Sequence, residues 1–217
     1  MGRIRTYSQR EELFNSLSHA AGIALGLVAA YILLSKAYQS QDGWKIYSVW
    51  VYLFGMLSCY IISTSYHACK AGKKKWLLQK FDHASIYLHI AGTYTPFTLV
   101  TLRNEALWGW SLFAFVWLSA IAGIVISFKK QNGHSYIETA CYVLMGCSII
   151  VAFKPLIDVL SHTGEMDALY RLIAGGASYI TGALFYSFAH KEYMHTVFHF
   201  FVLGGSIFHI LAIYVIL

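Results

Sequence analysis

Apolar and polar residues divide the chain into seven long apolar stretches joined by short polar connections. The stretches lie at about 19–38, 46–66, 83–102, 107–127, 135–154, 169–189 and 195–217. An α-helix of about 20 apolar residues, rising 1.5 Å per residue, crosses a bilayer core of about 30 Å. The pattern therefore predicts an all-α integral membrane protein whose residues 1–217 form a single domain of seven transmembrane helices. Pro96 lies inside the third stretch and predicts a kink there.

The composition agrees with a membrane protein and disfavours a soluble one. Hydrophobic residues make up 58% of the chain and charged residues only 12%, whereas soluble domains carry about 25% charged residues.

Positive charge in the connections predicts how the helices are oriented, because Lys and Arg collect on the cytoplasmic side. Eleven of the 16 basic residues fall on the side of the N-terminus: Arg3, Arg5, Arg10, Lys70, Lys73, Lys74, Lys75, Lys80, Lys129, Lys130 and Lys191. The other side has Lys36, Lys45, Arg103, Lys154 and Arg171. We therefore expect a multi-pass protein of the cell membrane with a cytoplasmic N-terminus and an external C-terminus. The net charge of +6 suits anionic lipid, so membrane lipids are the expected partners and nucleic acid is not.

Ionisable side chains are costly inside a membrane and usually serve a function there. In this sequence polar and ionisable side chains gather near the cytoplasmic ends of three predicted helices, as Ser63, His67, Asp82, His195 and His199. The first helix adds Glu11, Asn15 and His19 at four-residue spacing near the same level. Because these residues recur at one depth, the sequence predicts one polar site in the cytoplasmic third of the membrane.

The spacing of the histidines predicts a metal site. His195 and His199 are four residues apart and project from one helix face, as in many divalent-metal sites. His67 would be a third ligand and would leave a fourth position open, the arrangement of a catalytic zinc. Asp82 would orient or deprotonate a metal-bound water and Ser63 would hold it by a hydrogen bond. The alternative, a histidine bonded to a backbone carbonyl or another helix, is the expectation for His89, His134 and His209, while His162 and His190 are placed in loops.

The motifs that carry these residues resemble a known family. "ELFNSLSHAAG", "STSYH", "FDHASIYLHIAGTYTPF" and "HTVFHFFVLGGSIFH" occur in this order and resemble the hemolysin III proteins of bacteria, which belong with the progestin and adipoQ receptors. The resemblance implies seven helices, a cytoplasmic N-terminus and a zinc ion near the cytoplasmic face. Carried onto this chain, it implies His67, His195 and His199 as zinc ligands, with Asp82 and Ser63 beside the zinc-bound water.

Three functions remain open at this point. The first is a zinc-dependent hydrolase of lipid amides or esters with a ceramide-like or fatty acyl substrate, since the larger superfamily is similar to alkaline ceramidases. The second is a cytolysin that perturbs or perforates membranes, as the family name suggests. The third is a receptor or regulator of membrane lipid state in which zinc is structural. The sequence indicates neither the substrate nor the oligomeric state.

Overall fold

Helices make up the fold in the computed structural model, which describes residues 7–129 and 136–217. The α-helical segments are α1 (Gln9–Gln39), α2 (Gly43–Ala68), α3 (Lys73–Pro96), α4 (Trp108–Lys129), α5 (Tyr136–Cys147), α6 (Phe153–Thr163), α7 (Met166–Ser187) and α8 (Met194–Ile216). A 3₁₀ turn, Ser148–Ala152, joins α5 to α6 as one interrupted rod. The described residues thus form seven helical rods, one for each predicted stretch. Arg3, Arg5, Lys130 and His134 lie outside the described residues.

Helix α1 begins at Gln9, ten residues before the predicted stretch. Ser8 caps it: the Ser8 hydroxyl accepts from the Glu11 backbone N–H at 3.2 Å, and the Glu11 carboxylate accepts from the Ser8 N–H at 2.9 Å. This reciprocal pair satisfies two donors at a helix start. Hydropathy alone misplaced the boundary, because the first turns of α1 are helical without being apolar.

Pro96 ends the regular part of α3, at the position where the sequence predicts a kink. A proline has no N–H to donate to the carbonyl four residues earlier, and the chain continues as a π-helical turn, Phe97–Thr101. The Thr98 hydroxyl donates to the Tyr94 carbonyl at 3.0 Å, and the Thr95 hydroxyl donates to the Ala91 carbonyl at 2.9 Å. These side chains supply hydrogen bonds where the backbone ladder changes.

The fifth rod is longer than its predicted stretch, because it continues through α6 to Thr163. Pro155 lies in the first turn of α6, where a missing N–H is tolerated. His162, predicted in a loop, lies instead in the last turn of α6. That prediction was wrong because the polar end of this helix falls outside the apolar run. His190 does lie in the turn after α7.

Many polar side chains are buried inside the bundle, and large apolar side chains cover much of its surface. Asn15, Thr95 and Ser206 are fully buried, whereas Tyr31 and Leu107 are 78% and 79% exposed. Among the described residues, five rods are long and apolar enough to cross a membrane: α1, α2, α4, the α5–α6 rod and α8. The two remaining rods, α3 and α7, are less apolar. The fold is that expected of an integral membrane protein.

Close packing brings the polar ends of α1, α2, α3 and α8 together. Helix α2 packs on both α1 and α3, and α8 packs on both α7 and α1. Gly55 allows the closest approach of α2 to α3, because a Cβ there would lie 2.7 Å from the Leu88 carbonyl oxygen. The last turns of α2 and the first turns of α8 therefore face each other across one end of the bundle.

Candidate metal centre

Three imidazoles from two helices converge at this end of the bundle. His67 lies in the last turn of α2, and His195 and His199 lie one turn apart at the start of α8. Nε2 of His195 is 3.3 Å from Nε2 of His67 and 3.0 Å from Nε2 of His199. All three side chains are buried, and one ligand nitrogen from each lies within 4.8 Å of the other two. The structure thus brings together the three predicted ligands.

The spacing of these nitrogens fits one metal ion. Nitrogens that bind a tetrahedral zinc ion at about 2.0–2.1 Å lie about 3.3 Å from one another. In their neutral forms His67 and His199 each donate from Nδ1, as described next, so both direct an Nε2 lone pair toward Nε2 of His195. A single proton on Nε2 of His195 could satisfy only one of them. A cation bound by all three nitrogens would satisfy the whole group.

A second layer of polar groups orients two of the imidazoles. Nδ1 of His67 donates to the Glu12 carboxylate at 2.7 Å, and the other Glu12 oxygen pairs with Lys75 at 2.8 Å. Nδ1 of His199 lies 3.0 Å from the Ser18 hydroxyl and 3.3 Å from the Asn15 carbonyl oxygen, which can only accept. Hydrogen bonds of this kind fix the tautomer and ring orientation of metal-binding histidines and leave Nε2 for the metal. The arrangement therefore fits a metal-binding group.

The extension of α1 holds this second layer in place. The Glu11 carboxylate accepts from the Tyr193 backbone N–H at 3.0 Å, just before α8 begins. The Asn15 amide oxygen accepts from the Thr196 hydroxyl at 2.5 Å. Glu11 and Asn15 thus tie α1 to the first turn of α8, while the adjacent Glu12 reaches α2. Glu11 and Asn15 were predicted near the site from their spacing in the sequence, whereas Glu12, Ser18 and Lys75 were not.

Ser63 and Asp82 line the same cavity as the three histidines. Ser63 is 2% exposed and Asp82 is 9% exposed. The Asp82 carboxylate lies outside the group of ligand atoms formed by the histidines, and its backbone carbonyl accepts from the Ser85 hydroxyl at 2.7 Å. The structure therefore places both residues on the wall of the cavity that the three histidines also line, and their catalytic roles stay predictions.

The cavity is large and extends well beyond the histidines. It has a volume of about 1040 Å³ and is lined by more apolar than polar surface. Glu12, His67 and Lys75 line one part of it, and Thr93, Tyr179 and His209 line another. Such a shape suits a largely apolar ligand with a polar end.

The remaining buried histidines differ in their surroundings. The His19 ring lies against that of His199, with centroids 3.8 Å apart, and neither His19 nitrogen has a hydrogen-bond partner among the described residues. His209 donates from Nδ1 to the Gly205 carbonyl at 2.8 Å, which confirms the backbone bond expected for it. His89 contacts the rings of Tyr60 and Tyr179.

Apolar helices that bury a three-histidine group define an integral membrane protein with a candidate metal centre. Comparison with known sequences narrows this class. The chain belongs to the family described as "Haemolysin-III related", whose model matches residues 7–210. This finding confirms the resemblance drawn from the motifs.

The alignments with known relatives cover most of the chain. It is 39% identical to "Hemolysin-3" of Bacillus cereus over 91% of this chain and 87% of that protein. It is 35% identical to "Hemolysin-3 homolog" of Bacillus subtilis over 92% of this chain and 91% of that protein. It is also 27% identical to the human "Monocyte to macrophage differentiation factor", over 94% of this chain and 83% of that protein. The human relative links the chain to the progestin and adipoQ receptors.

Proposed function

We propose that the protein is a zinc-dependent hydrolase of lipid amides or esters in the cell membrane. The observation that carries the proposal is a buried three-histidine group, oriented by a carboxylate, on the wall of a largely apolar cavity. An imidazole set with an open position suits zinc among the common divalent metals. The cavity suits a ceramide-like or fatty acyl substrate, which would enter laterally between helices.

The proposal includes a topology. All seven rods would cross the membrane, with α3 and α7 shielded from lipid over part of their surface by their neighbours. The N-terminus would lie in the cytoplasm and the C-terminus outside, because the basic residues are concentrated in the connections on the N-terminal side. The metal centre would then lie near the cytoplasmic face.

The residues of the chain would have the following roles in hydrolysis. When bound, zinc would supply a Lewis acid that polarises a carbonyl and lowers the pKa of a coordinated water to about 7. Asp82 would accept the proton of the attacking water as general base and return it to the leaving group. Ser63 would hold the water or the substrate by a hydrogen bond. The apolar part of the cavity would bind the acyl chain and exclude bulk water.

A structural role for zinc is the second candidate. The ligands come from α2 and α8, and their hydrogen-bond partners come from α1. A metal at this junction would hold three helices together, as expected of a regulator of membrane lipid state whose zinc has no catalytic task.

A pore is the least supported of the three functions. A water-filled pore needs polar lining through the full thickness of the membrane. Beyond His209, α8 instead buries Ile213 and Ile216, which are 0% and 2% exposed. Apolar packing therefore fills the bundle at that end, and we do not favour perforation as the activity of this chain.

The test separates the hydrolase from the structural reading. Zinc-loaded wild type, Asp82→Asn and His195→Ala are incubated with ceramides and other lipid amides and esters, and the products are identified by mass spectrometry. We expect cleavage by wild type, a loss of about 10²–10⁴-fold in Asp82→Asn because its general base is gone, and no cleavage by His195→Ala. Asp158→Asn is the matched control, because this carboxylate is exposed on α6 and pairs with Lys154.

Zinc content is measured on each of the four proteins. Asp82→Asn should keep most of its zinc, so that its loss of turnover reports chemistry and not an empty site. If zinc-loaded wild type cleaves no lipid and Asp82→Asn remains fully active in cells, the hydrolase proposal is refuted and the regulator is favoured.

A further inference from the structure

A second polar cluster lies on the wall of the same cavity, away from the metal centre. We call it the deep polar cluster: Tyr60, His89, Tyr179, Ser206 and His209. The Ser206 hydroxyl is within hydrogen-bond distance of the Tyr60 hydroxyl at 2.7 Å and of the Tyr179 hydroxyl at 3.0 Å. The Tyr179 and His209 ring centroids are 5.1 Å apart. His89, Tyr179 and His209 line the cavity.

Two glycines make room for this cluster between α7 and α8. A Cβ on Gly175 of α7 would lie 2.3 Å from Nδ1 of His209 on α8. A Cβ on Gly205 of α8 would lie 2.6 Å from the ring of Tyr179 on α7. Each helix thus has a glycine opposite the polar aromatic side chain of the other. The packing fixes the positions of both rings, and both residues line the cavity.

The cluster has hydrogen-bonding capacity that the protein itself does not use. Nδ1 of His209 donates to the Gly205 carbonyl, so Nε2 of the neutral ring is an acceptor. The hydrogen bond given for His209 within the described part of the chain is the one from Nδ1, and Nε2 of His89 is fully buried with no hydrogen-bond partner among the described residues. Both side chains are more than nine-tenths buried, at 5% and 6% exposure. A buried polar atom without a partner is costly, and a ligand that supplies a donor would relieve that cost at Nε2 of His89. The same donor could bond to Nε2 of His209, whose residue lines the cavity.

The distance from the metal centre constrains the ligand. His199 and His209 lie ten residues apart on α8, and at 1.5 Å per residue this separation is about 15 Å along the helix axis. An extended fatty acid with its carboxylate at the metal centre would bring the carbons beyond the middle of its chain to the level of His209. A hydroxyl at that place in the chain could donate to Nε2.

We propose that the deep polar cluster is a binding subsite for a hydroxyl group on the acyl chain of the lipid. Nε2 of His209 accepts from that hydroxyl, and His89 lines the same subsite. The preferred ligand is therefore a fatty acyl lipid hydroxylated beyond the middle of its chain. This inference rests on the proposed function in one respect, namely that an acyl chain with its polar end at the metal centre occupies the cavity.

The test compares two fatty acids that differ by one hydroxyl. Ricinoleic acid has its hydroxyl beyond the middle of the chain, and oleic acid lacks it. The full-length, zinc-loaded protein in lipid nanodiscs is equilibrated with both acids together, and the bound acids are quantified by mass spectrometry after subtraction of empty nanodiscs. We expect wild type to prefer ricinoleic acid by about tenfold, the order of one buried hydrogen bond.

Three variants locate the preference. His209→Phe should lose the preference for ricinoleic acid over oleic acid. His89→Phe removes no side-chain hydrogen bond to any of the described residues, so it should fold readily and reduce the preference. Tyr142→Phe is the matched control, because this cavity-lining tyrosine already donates its hydroxyl to the His83 carbonyl at 2.9 Å. It should keep the full preference.

The outcomes distinguish this inference from the proposed function. Equal binding of the two acids by wild type, or an unchanged preference in both His209→Phe and His89→Phe, refutes the hydroxyl subsite and leaves the acyl site standing. If neither acid binds above the nanodisc background, the acyl occupancy assumed in the proposed function fails together with the subsite.

Discussion

Replacing Glu12 with Gln tests whether the second layer of the site acts on the metal. The Glu12 carboxylate is 2.7 Å from Nδ1 of His67, and Gln can accept the same hydrogen bond through its amide oxygen. Lys75 also donates to the Tyr66 and Cys69 carbonyls, each at 3.1 Å, and so keeps partners when the carboxylate is removed. The substitution therefore removes charge with little change of shape.

The expected loss of zinc affinity follows from the difference in strength between charged and neutral hydrogen bonds. A hydrogen bond to a charged group contributes about 1.5–3 kcal/mol, and one between neutral groups contributes about 0.5–1.5 kcal/mol. The difference, about 1–1.5 kcal/mol, corresponds to roughly tenfold in affinity. Loss of such partners typically weakens metal affinity by about 10–100-fold. We therefore expect Glu12→Gln to bind zinc about tenfold more weakly, and Glu12→Ala to bind it more weakly still.

Zinc affinity is measured by competition with a chromophoric chelator on purified protein. A thermal unfolding series at fixed free zinc provides a second readout, because weaker binding to the folded state lowers its stability by mass action. Glu138→Gln is the matched control: this carboxylate lies 3.2 Å from Nδ1 of His83, another glutamate–histidine pair that is not part of the three-histidine group. Zinc affinity within twofold of wild type in Glu12→Gln, or an equal loss in Glu138→Gln, would refute the reasoning.

Three further predictions concern metal content, packing and topology. Purified wild type should hold about one zinc per chain, measured by elemental analysis. The occupancy should fall in His67→Ala, His195→Ala and His199→Ala but not in His209→Ala. Equal zinc retention by all four variants would show that the site is misassigned. Gly175→Ala should destabilise the protein by about 1–3 kcal/mol, because the added Cβ would overlap His209. Gly176→Ala should leave the thermal midpoint unchanged, because there is open space around its Cβ. Similar midpoints for the two variants would contradict the packing of α7 on α8. Reporter fusions in the loop of residues 69–72 should be cytoplasmic and fusions after Leu217 external, and a cytoplasmic C-terminus would contradict seven crossings.

The number of rods and the three histidines were predictable from the sequence for simple reasons. Apolar stretches long enough to cross a membrane are rarely anything but helices, so the count of stretches gave the count of rods. Two histidines four residues apart share one face of a helix wherever that helix lies. His67 could be added because it occurs at the end of a helix that runs toward the same side.

The second layer could not be predicted, because it depends on how α1 is rotated about its axis. Glu11 and Glu12 are adjacent carboxylates, and the four-residue spacing from Glu11 to Asn15 favoured Glu11. In the structure Glu11 and Asn15 bond to the start of α8, whereas Glu12 bonds to His67. A signal was available in the S-x-x-E pattern of Ser8 to Glu11, which marks a helix start and extends α1 toward the site. Which carboxylate reaches α2 is decided only by packing.

The end of the fifth rod also could not be predicted from the sequence. The apolar stretch ends near residue 154, but Pro155 is compatible with the first turn of a new helix, and α6 continues to Thr163. Hydropathy shows how apolar a segment is and not where its helix ends. It therefore missed the polar last turn of α6, which contains His162.

The metal centre joins parts of the chain that are synthesised far apart in time. His67 and His195 are separated by 128 residues, and Ser18 and His199 by 181. During synthesis α1 and α2 emerge early with one of the three histidines, and α8 emerges later with the other two. Metal binding and folding are coupled where a site is assembled from distant segments. A metal ion held by all three histidines would therefore bind only after α8 has been made.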